Sequence, residues 1–274
     1  MIINENPRIA YLILASPNRE HERDLLAQSQ TWANQVHENI FWLRGSDSSS
    51  FKLVGRELFV PCKEEYENIL KKTLLGISWS IQHLEFDFVL RTNVSTYVDK
   101  RRLNKFIKDK EMTSNSVAGY PEYLKKRENI GVEEKETFLS GSGILIARNI
   151  ALEMTKSEDL FSDPSPDDVA ISRFFRKIGI EPVYLPRSNL HSVHLYTPAP
   201  FVRCKSSTNE FAASNRMKLV HRIITSPCWM KPILYLELLS FEFYLLSFDP
   251  KRLPDEILRC LAQIKRNLSL REKS

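Results

Sequence analysis

Cysteine is sparse and scattered in this chain. Cys62, Cys204, Cys228 and Cys260 form no CxxC pair, which excludes the common zinc and dithiol motifs and leaves no basis for a disulfide framework. Reduced, mostly buried thiols are the expectation. Long apolar runs are also missing. The first, residues 9–15, is short and follows polar residues without a cationic leader, so no signal peptide is expected and a cytoplasmic location is. A later run, 232–248, is interrupted by Glu237 and Glu242 and is too short and too charged to span a bilayer comfortably. There are no internal repeats and no low-complexity tract. The 39 Lys and Arg against 34 Asp and Glu give a net charge of +5, and residues 251–274 carry +4 of it. No basic face with interleaved aromatics appears, so nucleic acid is not an expected partner.

What the chain does have is alternation of strand and helix signals. Residues 8–15 (RIAYLILA) read as a buried parallel strand, and 86–91 (FDFVLR) as another. Between them, Tyr66, Ile69, Leu70, Thr73, Leu74 and Ile77 recur at helical spacing and mark one buried face of a helix over 64–81. A Gly-Ser-Gly turn at 141–143 feeds an apolar strand, and 165–178 reads as a helix opened by Ser165 as N-cap and Pro166 at the first position. The fold class expected is α/β, a mostly parallel Rossmann-like sheet flanked by helices on both faces. Residues 1–204 form the domain in this reading. Residues 205–274 form a helical extension that packs on the domain or rests on an anionic membrane surface, which makes a peripheral membrane location part of the expectation.

Five stretches in order carry a resemblance. SPNREHERDLLAQSQTW (16–32) is similar to a family pattern in which a basic residue, here Arg23, precedes a Thr-Trp pair. EEYENILKKTLLGISW (64–79) is similar to a Tyr-x-Asn-Leu helix ending in Gly-x-x-Trp. FDFVLRTNVSTYV (86–98) follows where the family has Lys-Thr-Asp-Asp-Asp. FLSGSGILIARNIA (138–151) resembles a Ser-Gly-x-Gly strand, and SPDDVAISRFFRKIGIEP (165–182) an acidic-pair helix. Together they resemble the β-1,3-galactosyltransferase and Fringe family of glycosyltransferases (family 31-like), over roughly residues 8–195.

The resemblance implies a GT-A type fold and an inverting transfer of a sugar, a hexose or N-acetylhexosamine, from a nucleotide-sugar donor such as a UDP-sugar to a glycan or lipid-linked oligosaccharide acceptor in surface polysaccharide synthesis. It carries Asp168 over as the catalytic base, with Asp167, Gly141, Ser142 and Gly143 on the substrate. On the donor it puts Arg23, Arg91 and Thr92; the carboxyl edge of a Rossmann-like sheet adds Ala15 and Ser16, and the amide and hydroxyl of Asn93 and Ser95 can bond a sugar or ribose.

The sequence departs from the family at the acidic triplet. Asn93, Val94 and Ser95 stand where carboxylates would hold Mn²⁺ or Mg²⁺, and hard cations want anionic oxygen ligands. Either cations such as Arg91, Lys125, Lys126 or Arg127 meet the diphosphate with no metal required, or a metal is held through Asp99 or a histidine such as His191, or the chain is a noncatalytic member that binds a nucleotide or glycan. Local alternatives stay open beside these roles. Asp167 and Asp168 also read as helix-start acids favoured by the dipole, Arg91 as a residue closing a strand, His191 and His194 as ordinary histidines, and Trp79 and Phe138 as core or as sugar-stacking surfaces.

Overall fold

The structure is a computed structural model describing residues 6–34, 39–126, 134–161, 165–189, 199–205 and 211–247. The His191, His194 and Arg127 readings, Cys260 and the basic C-terminal helix lie outside the described residues.

In chain order the elements are β1 (Ile9–Leu14), α1 (Arg19–Ser29), β2 (Ile40–Ser46), β3 (Lys52–Val54), β4 (Glu57–Pro61), α2 (Ile69–His83), β5 (Phe88–Asn93), β6 (Thr96–Val98) and α3 (Lys100–Asp109). They continue as β7 (Val117–Lys126), β8 (Glu134–Ala147), α4 (Arg148–Lys156), α5 (Asp167–Lys177), β9 (Val183–Tyr184), β10 (Arg187–Asn189), β11 (Phe201–Arg203), α6 (Ala212–Thr225) and α7 (Lys231–Ser247). Eight strands form one sheet in the order β3-β4-β2-β1-β5-β8-β7-β9, and β10-β11-β6 form a second, smaller sheet.

The chain is therefore α/β, and β4, β2, β1 and β5 run parallel as expected. The other half is mixed, because β8 lies antiparallel between β5 and β7. A continuous apolar strand reads the same in either direction, so its sense is invisible in composition.

Strand β1 shows why its apolar run is unbroken. Ile9, Tyr11 and Ile13 pack on one face with α1, α3 and α6 residues, while Ala10, Leu12 and Leu14 pack on the other with α2, α4 and α5 residues. Period-two alternation over two buried faces demands apolar residues at every position. Helix α2 begins later than its stripe suggests. A short 3₁₀ turn at Tyr66–Asn68 precedes it, and Tyr66 is exposed. The strand expected at 86–91 extends to Asn93, which moves the following turn to the sheet's carboxyl edge.

Ser165 does not cap α5 as expected. The N-cap position is Pro166 with no side-chain cap bond, and the Ser165 hydroxyl accepts from Arg173 Nη1 at 2.7 Å instead. One early helical N–H, that of Val169, donates to Asp168 Oδ1 at 3.0 Å. Trp79 is core, edge-on to Phe41 and stacked on His83. Cys62 and Cys204 are buried, with Cys204 Sγ 3.7 Å from the Val202 carbonyl, and Cys228 is exposed.

Beyond residue 204 the two described helices differ. Ala213, Met217 and Val220 of α6 join the main core, whereas α7 packs on α6 through Leu234 and Leu238 against Leu219 and Ile223. Trp229, Ile233 and Leu236 are exposed. Among the described residues no helix is long and apolar enough to cross a membrane.

Candidate active site

A cavity of about 580 Å³ opens at the carboxyl ends of β1 and β5. These neighbours are joined to the rest of the sheet in opposite directions, and such a switch point leaves a crevice in open α/β sheets. Ala15 and Ser16 at the end of β1, Arg91, Asn93, Ser95 and Thr96 around the end of β5, Gly141 and Ser142 on β8, and Asp167 and Asp168 at the start of α5 all line it.

Arg91 is the centre of the wall. It is 3% exposed. Its Nε and Nη2 donate to both oxygens of Asp167 at 2.6–2.9 Å, and its Nη1 donates to Asn93 Oδ1 at 3.0 Å and to the Gly141 carbonyl. Each of its three nitrogens thereby donates within the protein. The fork fits the carboxylate bidentately, a geometry lysine lacks. Arg91 thus reaches the cavity as a clamp whose hydrogen bonds already have acceptors. A Cβ at position 141 would collide with its Nη1, so the glycine there makes room for the guanidinium.

The adjacent acids on α5 are sharply different. Asp167 is buried, saturated by Arg91, and has the Thr73 hydroxyl 3.2 Å from Oδ2. Asp168 is half-buried and, among the described residues, accepts backbone bonds from Gly141 N–H at 3.1 Å and Val169 N–H at 3.0 Å. Burial pushes its carboxyl up from the ordinary range, with the Asp167 charge adding to that, while Arg91 and the two N–H groups pull against it. A carboxylate held at a cavity wall and made more basic is equipped to take a proton.

The turn after β5 is fixed from behind by one side chain. Gln28 on α1, fully buried, donates through Nε2 to the carbonyls of Asn93 and Thr96 at 3.1 Å each, and its Oε1 accepts from Trp42 Nε1 at 2.9 Å. The turn's donor set does not suit a divalent cation. Asn93 Oδ1 is taken by Arg91, Val94 is a buried core residue, and only Ser95 offers a hydroxyl. Asp99 caps α3 at Arg102 N–H and pairs with the Arg102 guanidinium. Among the described residues no three His, Cys, Asp or Glu side chains are grouped to hold a metal ion.

Several residues named from the sequence lie elsewhere. Thr92 alternates to the opposite side of β5, fully buried, with its hydroxyl on the Ser142 carbonyl at 2.7 Å. Arg23 is outside the cavity wall, its guanidinium 4.0 Å over the Phe211 ring. Gly143 is also outside, and a Cβ there would meet Phe201 at 2.5 Å, so its role is close packing of β8 on β11. Ser16 is in the wall, but its hydroxyl is engaged by His21 Nδ1 and Asn18 Nδ2. Ser142 is held beside Arg187, which also donates to Ser140 and Glu122 at 2.6 Å. Burial alone would raise the Glu122 carboxyl, yet Arg187, Arg203 and the Ser140 hydroxyl bring it below the usual range.

Other wall residues escape a motif reading. Lys72 is 3% exposed and donates to Glu64 Oε1 at 2.5 Å and to the Ala15 carbonyl at 2.8 Å, tying α2 to the end of β1. Its signal in the sequence is a cation within the buried stripe of α2, beside Ile69, Thr73 and Gly76. Asp24 carries the same kind of signal. It falls on the inner face of α1 with Ala27, Gln28 and Thr31, is 1% exposed, and its Oδ1 has no hydrogen-bond partner among the described residues.

Burial, reinforced by Glu20, raises the Asp24 carboxyl to about 7 from an ordinary 3.8. The folded protein then holds a proton that the unfolded chain releases, so this group's stabilising contribution is complete below about pH 4 and is lost as pH rises through 7. Asp24→Asn is expected to flatten that dependence. In urea denaturation the variant should exceed the parent by roughly 2–4 kcal/mol at pH 8, and the advantage should shrink as pH is lowered toward 4. An equal pH dependence in the two proteins would mean that Asp24 ionises normally.

No protein-family model matches the sequence, and no curated protein matches it. Among solved structures the chain is similar to a glycosyltransferase involved in glycosylation of the major capsid of PBCV-1, with TM-score 0.46 and 10% identity over 78% of this chain and 100% of that one. It is also similar to the glycosyltransferase GlyE of Streptococcus pneumoniae TIGR4. The apo form gives TM-score 0.44 and 10% identity over 85% of this chain, and a second GlyE structure gives 0.44 and 11% over the same share. This chain spans 63% and 64% of those two GlyE chains. Likenesses of this size carry no argument about the site, which rests on its own geometry.

Proposed function

We propose that the chain is a glycosyltransferase, a group-transfer enzyme whose cavity takes a sugar donor and an acceptor hydroxyl together. More particularly, we read it as an inverting, nucleotide-sugar-dependent enzyme of GT-A type with Asp168 as base. The observation that carries this reading is the split between adjacent acids at the switch-point cavity, with Asp167 locked by Arg91 and Asp168 half-buried, raised and lining the space where a donor fits.

In the reaction, Asp168 accepts the proton of the acceptor hydroxyl as that oxygen forms a bond to the anomeric carbon. The bond from that carbon to the diphosphate oxygen breaks, and its electron pair leaves with the nucleoside diphosphate. Attack opposite the leaving group inverts the anomeric centre. Gly141 N–H steadies the Asp168 carboxylate, and Arg91 fixes Gly141 through its carbonyl. A metal at the turn would screen the leaving diphosphate, but the described donor set does not fit one. The ordered resemblance of five stretches supports a β-1,3-type linkage, a hexosyl or N-acetylhexosaminyl donor and a glycan or lipid-linked acceptor; separately, the exposed Ile233 and Leu236 of α7 support a contact with a membrane surface.

The test is nucleoside diphosphate release from a panel of UDP-, GDP- and dTDP-sugars with simple glycoside acceptors. Release with one donor, and a product of inverted anomeric configuration by proton NMR, is expected. Because deprotonated Asp168 is the active form and its pKa is raised, kcat/KM should climb with pH along a limb above the ordinary carboxylate range. A donor that binds but is never turned over would favour the noncatalytic reading, which the missing acids at Asn93–Ser95 support.

A further inference from the structure

The following rests on the nucleotide-sugar reading above and concerns how the site meets the donor's diphosphate. The turn that lacks carboxylates is stitched to β11. Arg203 pairs with Thr96 across the β11–β6 ladder, and Cys204 N–H donates to the Ser95 carbonyl at 2.8 Å. This register brings Arg203 and Lys205, the residues on either side of Cys204, to the cavity wall beside Asn93 and Ser95. Where the turn offers an amide, an apolar side chain and a hydroxyl, the neighbouring strand offers a guanidinium and an ammonium.

Several acids of the wall are already paired with cations. Asp167 is neutralised by Arg91 and Glu64 by Lys72. Glu122 is held by Arg187 at 2.6 Å and stands 3.8 Å from Arg203, so two guanidinium groups share one carboxylate. Asp24, Asp168, Glu20, Glu65 and Glu67 also line the cavity. His21 lines the same cavity in the first turn of α1, where its N–H donates to the Asn18 side chain. Burial lowers the His21 ring's pKa; Glu20 opposes that, and the charges of Lys72 and Lys205 both add to it, which places His21 within their common field.

We infer that the diphosphate of the donor is bound by Arg203 and Lys205, with Lys72 and the start of α1 completing the cradle, in the position a divalent cation and its carboxylates would take. Arginine grips two phosphate oxygens at once, and lysine adds a point charge. No ion need be recruited for the leaving group to be stabilised.

The experiment is calorimetric titration of the full chain with UDP, GDP, dTDP and inorganic pyrophosphate, in EDTA and in Mn²⁺. The expected result is one nucleoside diphosphate, and weaker pyrophosphate, binding with an affinity that EDTA changes by less than about threefold. Arg203→Gln with Lys205→Gln should weaken both ligands at least tenfold, as loss of charged hydrogen bonds implies, while the corresponding monophosphate weakens much less. Arg203→Lys should recover part of the loss, and matching melting curves will separate binding from folding. Binding that requires Mn²⁺, or that the double variant retains, overturns the inference and leaves the transferase reading standing. Failure of every diphosphate and pyrophosphate under both conditions overturns both.

Discussion

Replacing Arg91 by methionine is expected to destabilise the protein by about 3–5 kcal/mol, because a buried carboxylate then loses its counter-ion. Asp167 would keep the Thr73 hydroxyl as its remaining side-chain partner. Asn93 Oδ1 and the Gly141 carbonyl would lose a donor at the same time. The loss should appear in urea denaturation as a lower midpoint with an unchanged slope. Arg91→Lys should fall between, since one ammonium cannot serve Asp167 bidentately while reaching position 141.

The informative companion is the double replacement Arg91→Met with Asp167→Leu. Removing both charges abolishes the uncompensated burial, so most of the stability should return. Activity should not, because Gly141 would no longer be pinned and its N–H holds Asp168. A stability loss below about 1 kcal/mol for Arg91→Met alone would show that solvent or another cation reaches Asp167, contrary to its burial.

The second large effect is at the next residue. Asp168→Asn is expected to lower sugar transfer by about 10²–10⁴-fold, the range for losing a general base, with donor affinity within a few-fold of the parent. The amide retains an oxygen for Val169 N–H but removes the proton acceptor. Folding should change little, since the lost carboxylate is one whose burial already works against its charge. Asp167→Asn should show the converse pattern, a large stability loss. Turnover by Asp168→Asn at the parental rate would assign the base elsewhere. The pair of variants tells a positioning acid from a reacting one although the two are consecutive on one helix.

How far these features could be read in advance depends on whether they are local. The stripe of α2, the buried β1 and the helix at 165–178 carry their periodicity within a dozen residues, and all three elements appear, although α2 starts only at Ile69 and α5 at Asp167. The position of Asp168 in a cavity wall follows from that helix start. The pairing of Arg91 with Asp167 crosses 76 residues, and nothing local distinguishes a clamp from a free cation. Thr92 was misplaced for a simpler reason: alternate residues of a strand face opposite ways, so Arg91 and Asn93 at the cavity already put Thr92 behind it. Arg203 and Lys205 reach the turn through the pairing of β11 with β6, a contact between strands distant in the sequence that no local pattern encodes.

The cavity wall is mostly built from ion pairs, but its turn is not. Gln28 bridges Trp42, Asn93 and Thr96 with an uncharged amide. Amide bonds of this kind neither titrate nor weaken by ionic screening. The backbone of this loop therefore has a mooring independent of acidity and of salt, and conditions that loosen Arg91's hold on the Asn93 side chain leave the two Gln28 bonds in place.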